Sequence, residues 1–141
     1  SFNAQQRARG FELAMKEANI EIVDSQSANW EMREANIITA SMLTRYPDIK
    51  GILAGNDSMA MGALAAVKTI GKLGAIQIVG FDNISAVNQA IAAGEILATA
   101  DQHADKLAAY GIDYALALLA DKKAILADRE TPVDLVTAKD I

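Results

Sequence analysis

Residues 51–80 read GILAGNDSMAMGALAAVKTIGKLGAIQIVG, and their order decides the fold. Gly51-Ile52-Leu53-Ala54-Gly55 is an apolar run of strand length. From about Ser58 to Ile70 the apolar residues recur at helical spacing, and Gly71, free to adopt left-handed backbone, is a usual stop. Ile76-Gln77-Ile78-Val79-Gly80 is again strand-like. Strand, helix, strand at this spacing is the sequence form of a right-handed crossover between parallel strands.

The same rhythm continues in both directions. Upstream, Ile20-Glu21-Ile22-Val23-Asp24 alternates like a strand, and Trp30 to Tyr46 returns to helical spacing through Ala35, Ile38 and Met42 until Pro47 ends it. Before that, Ala4, Ala8, Phe11, Met15 and Ala18 mark a first helix, with Asn3 read as its N-cap and Gln6 as the reciprocal partner. Downstream, a helix over Ser85 to Ala93 stops at Gly94, and Ile96-Leu97-Ala98-Thr99 supplies another strand. A longer helix over Ala104 to Ala120 carries Leu107, Ala108, Ile112, Ala115 and Leu119 on one face, a charged turn follows at Asp121-Lys122-Lys123, and Pro132-Val133-Asp134-Leu135-Val136 reads as a final strand. Strands alternating with helices predict an α/β fold with a mainly parallel, Rossmann-like sheet and helices on both faces.

Composition narrows the function. The chain has 141 residues, 52% of them hydrophobic, enough for a real core. The formal charge is −5, from 18 acidic and 13 basic residues; with no basic block, nucleic acid is not an expected partner. No apolar run reaches the roughly 18 residues that a membrane span needs. Residues 1–7 lack the charged-then-apolar plan of a signal peptide, so either the chain is cytosolic or its leader lies outside this sequence. Cysteine is absent and His103 is the only histidine, so neither a metal site, a histidine-based relay nor a cofactor is expected. No phosphate loop, Gly-x-Gly-x-x-Gly or nucleophile elbow is present.

In open α/β sheets ligands lie beyond the carboxyl ends of the strands. The residues there are Ser25-Gln26-Ser27-Ala28-Asn29-Trp30, then Asn56-Asp57, then Phe81-Asp82-Asn83, then Asp101-Gln102. Such a mixture suits a neutral polyhydroxylated ligand: each hydroxyl both donates and accepts, Asp accepts hydroxyl protons, and Asn or Gln offers one group of each kind. Trp30 can pack on the C–H face of a sugar ring. Each residue also has a plain structural reading. Asp57, just before a helix, is read mainly as its N-cap; Asp82 and Asn83 are also good turn residues; Trp30 and Phe81 are also good core residues, and Gln102 also suits a solvated loop. Their joint placement is what makes a candidate site.

At these residues the sequence resembles the ribose-binding family of periplasmic sugar receptors, of the type I periplasmic binding protein superfamily. Arg7-Ala8-Arg9-Gly10-Phe11, Ser25 to Trp30, Pro47-Asp48-Ile49, Asn56 to Ala63, Val79-Gly80-Phe81-Asp82, Ala98 to Gln102 and Thr131-Pro132-Val133 follow its pattern in order and spacing. The resemblance implies ligand contacts by Arg7, Trp30, Asn56, Asp82 and Gln102, with Phe81 helping to line the pocket. Trp30 replaces the phenylalanine of ribose-specific members, so pentose, hexose and linear polyol all stay open. It further implies a periplasmic solute-binding component of an ABC transporter, working with a membrane permease. Members of that family have two lobes that close on the ligand as a hinge. By resemblance, residues 1–102 are most of the C-terminal lobe without its first strands, and residues 103–141 are a hinge-crossing helix and strand that pack on an N-terminal lobe this sequence does not contain. The alternative is the effector-binding core of a lactose-repressor-type transcription regulator, which shares the Asn-Asp and Gly-Phe-Asp motifs. An α/β enzyme using Asp57 or Asp82 as acid or base is a third, weaker reading.

Overall fold

The computed structural model describes residues 1–141. In chain order the elements are α1 (Phe2–Glu17), α2 (Met32–Arg45), β1 (Gly51–Leu53), α3 (Asp57–Thr69), β2 (Gln77–Phe81), α4 (Ser85–Ala92), β3 (Ala98–Asp101), α5 (Ala104–Ala120) and β4 (Asp134–Thr137). The strands form one sheet in the order β1-β2-β3-β4. β1 and β2 are parallel, with Ile52 opposite Ile78, and so are β2 and β3, with Val79 opposite Ala98. β4 closes the far edge antiparallel to β3, Asp134 lying opposite Asp101. The expected α/β, mainly parallel architecture is therefore present.

Alternation along β2 separates the two faces of the sheet. Ile78 and Gly80 point to the side where α3 and α4 pack, and Ile78 joins Leu43, Leu64, Val67, Val87, Ile91 and Ile96 in the main core. α2 lies along α3 at close range: a Cβ added to Gly62 would sit 2.2 Å from the Met32 carbonyl oxygen. Phe81 points to the opposite face, where the Arg7 guanidinium of α1 rests on its ring. That face is thinly covered, since neither α1 nor α5 has a buried residue. Along α5, Ile112, Leu116 and Leu119 stand open to solvent.

Two local readings change. The N-cap of α1 is Ser1, whose hydroxyl accepts from the Ala4 amide, while Asn3 is already inside the helix. The strand expected over Ile20–Asp24 is absent. Ile20, Ile22 and Val23 are exposed and no neighbouring strand reaches them; alternation suits a residue to a sheet, but ladder bonds need a second backbone. The last strand, β4, starts at Asp134 and pairs with β3 in this sheet. Pro132 and Val133 precede it, as the missing amide of proline favours.

Candidate functional site

The three parallel strands end on one side, and the residues that follow them meet there. Asn56 follows β1 and is the N-cap of α3: its Oδ1 accepts from the Met59 amide at 2.9 Å, and its Nδ2 donates to the Trp30 carbonyl at 3.4 Å. Asp82 follows β2 in a sharp turn, with φ of 120° at Asp82 and 56° at Asn83. Gln102 follows β3 and donates through Nε2 to Asp82 Oδ1 at 2.9 Å. The returning chain braces it, because the Thr131 hydroxyl donates to the Gln102 carbonyl at 2.8 Å.

Arg7 reaches this cluster from α1. One guanidinium nitrogen donates to the Gly55 carbonyl at 2.8 Å and another to Asp82 Oδ1 at 3.2 Å. The cation lies 3.8 Å from the Phe81 ring centroid and 5.5 Å from that of Trp30, so one ring supports it closely and the other flanks it. Trp30 itself sits at a left-handed backbone position, φ 68°, directly after Asn29 at φ 50°. This bend carries the chain from the preceding loop into α2 and brings the indole against Gly55.

An open groove of about 320 Å³ results, lined by Arg7, Trp30, Asn56, Asp82 and Gln102 together with Ser1 and Asn3. Every expected ligand residue thus borders one space. Ser1 and Asn3 had not been expected there; Asn3 is one helical turn before Arg7 on the same face, a spacing that could have flagged it. A second hollow, about 400 Å³, lies between the end of α1 and residues 19–22. It is away from the strand ends and beside the segment that has no strand partner, and none of the expected ligand residues lines it.

Electrostatics single out Asp82. Its pKa is raised, first by burial, which outweighs the opposing attraction of Arg7, with the Asp57 charge pushing further in the same direction. Asp101, just before Gln102, is instead lowered, chiefly because its carboxylate accepts the His103 amide. Its other oxygen accepts from Asn83 Nδ2 at 3.1 Å, which ties the Asp82 turn to the end of β3.

Asp57 is not the cap of α3. It is fully buried beneath the site, at the first position inside the helix, and Asn56 holds the capping role. What faces the groove is therefore a set of donors and acceptors with bonding capacity to spare. The Asp82 Oδ1 is engaged twice, while further guanidinium and amide hydrogens remain for a ligand's hydroxyl oxygens.

The position of these groups, past the ends of the parallel strands, is where open α/β sheets place small-ligand sites. Residues 1–123 match the periplasmic binding protein domain, and the chain belongs to that family. It is 49% identical over 142 residues to the D-ribose/D-allose-binding protein of Pseudomonas aeruginosa, covering 96% of this chain and 44% of the relative. An ABC transporter solute-binding protein from Burkholderia multivorans, holding an unknown ligand drawn as alpha-D-erythrofuranose, superposes with a TM-score of 0.88 at 47% identity, over 94% of this chain and 47% of that one. A periplasmic solute-binding protein from Actinobacillus succinogenes with bound D-allose gives 0.79 at 37% identity, over 85% and 42%. The chain thus spans less than half the length of these relatives.

Proposed function

We propose that the chain is the C-terminal wall of the cleft of an ABC-transporter sugar receptor, working in the periplasm and delivering a monosaccharide or polyol to a membrane permease. The observation that carries this reading is the Asp82 carboxylate held between Arg7 and Gln102 beside Trp30. Hydroxyl pairs on a sugar match such alternating donors and acceptors, and the indole offers an apolar surface for the ring. The names of the relatives, ribose and allose binders among them, support the same ligand class. Binding needs no covalent step, and none of the groove residues is placed as a nucleophile with a base.

The groove is open to solvent, so a second wall completes it. Residues 1–102 supply this wall. The uncovered apolar face of α5 is the surface on which an N-terminal lobe packs, and β4 returns the chain to the sheet. A few charge-assisted hydrogen bonds in a closed, dry cleft, at about 1.5–3 kcal/mol each, are enough for roughly micromolar affinity, near −8 kcal/mol.

Calorimetric titration tests this with D-ribose, D-allose and myo-inositol, using the chain alone and the chain joined behind the N-terminal lobe of the Pseudomonas relative. The joined protein is expected to bind at least one of these at micromolar strength or better, and Asp82→Ala to abolish it with the fold retained. No binding by the joined protein would refute the sugar reading. Submicromolar binding by the isolated monomer would refute the need for a second wall.

A further inference from the structure

Asp57 is a buried carboxyl group without a capping task. Its Oδ1 accepts from the Thr99 hydroxyl at 2.7 Å and its Oδ2 from the Ile84 amide at 2.9 Å. Ile84 is the N-cap of α4, and its own amide, one of the groups at a helix start that lack an intrahelical partner, is taken up by this residue of α3. Thr99 extends the link, since its oxygen also accepts from the Asn83 amide at 3.3 Å. Both residues that follow Asp82 are therefore fastened, directly or through one hydroxyl, to the same carboxyl group. The turn between them needs fastening, because Asp82 and Asn83 both hold left-handed backbone, which side chains other than glycine's disfavour. Gly80 makes room for the arrangement: a Cβ there would lie 2.1 Å from Asp57 Oδ1.

We propose, resting on the sugar-receptor reading above, that Asp57 is a positioning residue: it holds the Asp82 turn in its ligand-facing form and thereby sets the affinity for sugar. Fully buried, it cannot touch a ligand itself. Its effect reaches the groove by geometry, through Ile84, Thr99 and Asn83, and by charge. The charged groups that act on Asp82 are Arg7 from α1, which lowers its pKa, and Asp57 from α3, which raises it.

Two variants separate this from a general role in folding. Asp57→Asn removes the charge and replaces one acceptor by a donor. Thr99→Val keeps the charge and removes the hydroxyl, and with it both the bond to Asp57 Oδ1 and the link to Asn83. Both are measured in the joined protein for sugar affinity from pH 4 to 8, and in the chain alone for the Asp82 carboxyl titration by carbon NMR. Loss of about tenfold or more in affinity is expected for each, with the Asp82 midpoint falling in Asp57→Asn and staying in Thr99→Val. Wild-type affinity in both, with an unmoved Asp82 midpoint, would overturn the proposal while leaving the sugar reading intact. Absence of sugar binding by the wild-type joined protein would overturn both. If Asp57→Asn does not fold, Thr99→Val alone decides: wild-type affinity in it sinks the positioning role.

Discussion

Replacing Arg7 by methionine keeps most of the stem that packs along α1 and removes the cation. Three contacts go with it: the bond to the Gly55 carbonyl, the pairing with Asp82, and the stacking on Phe81. The pairing is partly shielded, with the Arg7 side chain 13% and the Asp82 side chain 28% exposed. A charge-assisted bond in such a setting contributes about 1.5–3 kcal/mol, so sugar affinity at neutral pH should fall by about ten- to a hundredfold. The pH dependence carries a sign that tests the reasoning more sharply. Asp82 already sits above its ordinary pKa because burial outweighs Arg7, and losing Arg7 must push it higher. The carboxylate that accepts sugar hydroxyls would then be lost at a higher pH, moving the acid limb of binding toward neutrality. The same shift bears on stability. A group whose folded pKa lies above its unfolded one favours the fold below the unfolded pKa, and that advantage disappears as pH rises through the folded value. Arg7→Met should therefore lose more stability across that window than the wild type, and the extra loss should vanish in Arg7→Met/Asp82→Asn. Calorimetry at stepped pH gives the affinity and urea unfolding gives the stability. An acid limb that stays in place, with an affinity change under about twofold, would show that Arg7 and Asp82 do not act as a pair.

Trp30 is the only tryptophan of this chain, so the emission it adds to the joined protein, read against Trp30→Ala, reports on the groove: sugar should change that emission, and Trp30→Ala should cost about tenfold or more in affinity without unfolding the protein. Unchanged emission at saturating sugar would remove the indole from the site. Gly80→Ala drives a methyl group into Asp57 and should destabilise the chain by about 1–3 kcal/mol or more through overpacking; a urea midpoint equal to wild type would contradict the packing beneath the turn. On α5, Leu119→Lys and Ile112→Glu replace exposed apolar groups. Sedimentation should show less self-association of the isolated chain with no loss of melting temperature, while assembly with a separately supplied N-terminal lobe weakens. A clear fall in melting temperature would mean that this face is already packed.

How far the sequence could be read depends on where the decisive contacts lie. Helices α2 to α5 and strands β1 to β3 follow from local apolar spacing and from stops such as Gly71 and Gly94, both of which adopt positive φ. The five candidate ligand residues were legible for a related reason. Topology puts strand ends on one side, so Asn56, Asp82 and Gln102 had to be neighbours, and the family resemblance added Arg7, which no periodicity could assign. Ile20–Asp24 failed because its strand pattern is local and its missing partner is not. Phe81 was visible only as a possible lining residue; its closeness to the Arg7 cation, 3.8 Å, depends on how α1 lies against the sheet.

The exchange of roles between Asn56 and Asp57 shows what local reading cannot resolve. Either residue type caps a helix well, so adjacency alone cannot choose between them. The choice is made by partners 27 and 42 positions away, the Ile84 amide and the Thr99 hydroxyl, which both bring donors to position 57. Two inward-pointing donors require a group with two acceptor oxygens, and a buried Asn there would turn its amide hydrogens against one of them. Position 56 has the opposite requirement. Its Oδ1 is spent on the Met59 amide, yet the side chain borders the groove and its Nδ2 donates to Trp30. Asp at 56 would cap equally well and bring no donor. The order Asn then Asp is thus set by two different hydrogen-bond inventories, one facing the groove and one facing the interior, and the neighbouring pair links the groove to the frame that shapes it.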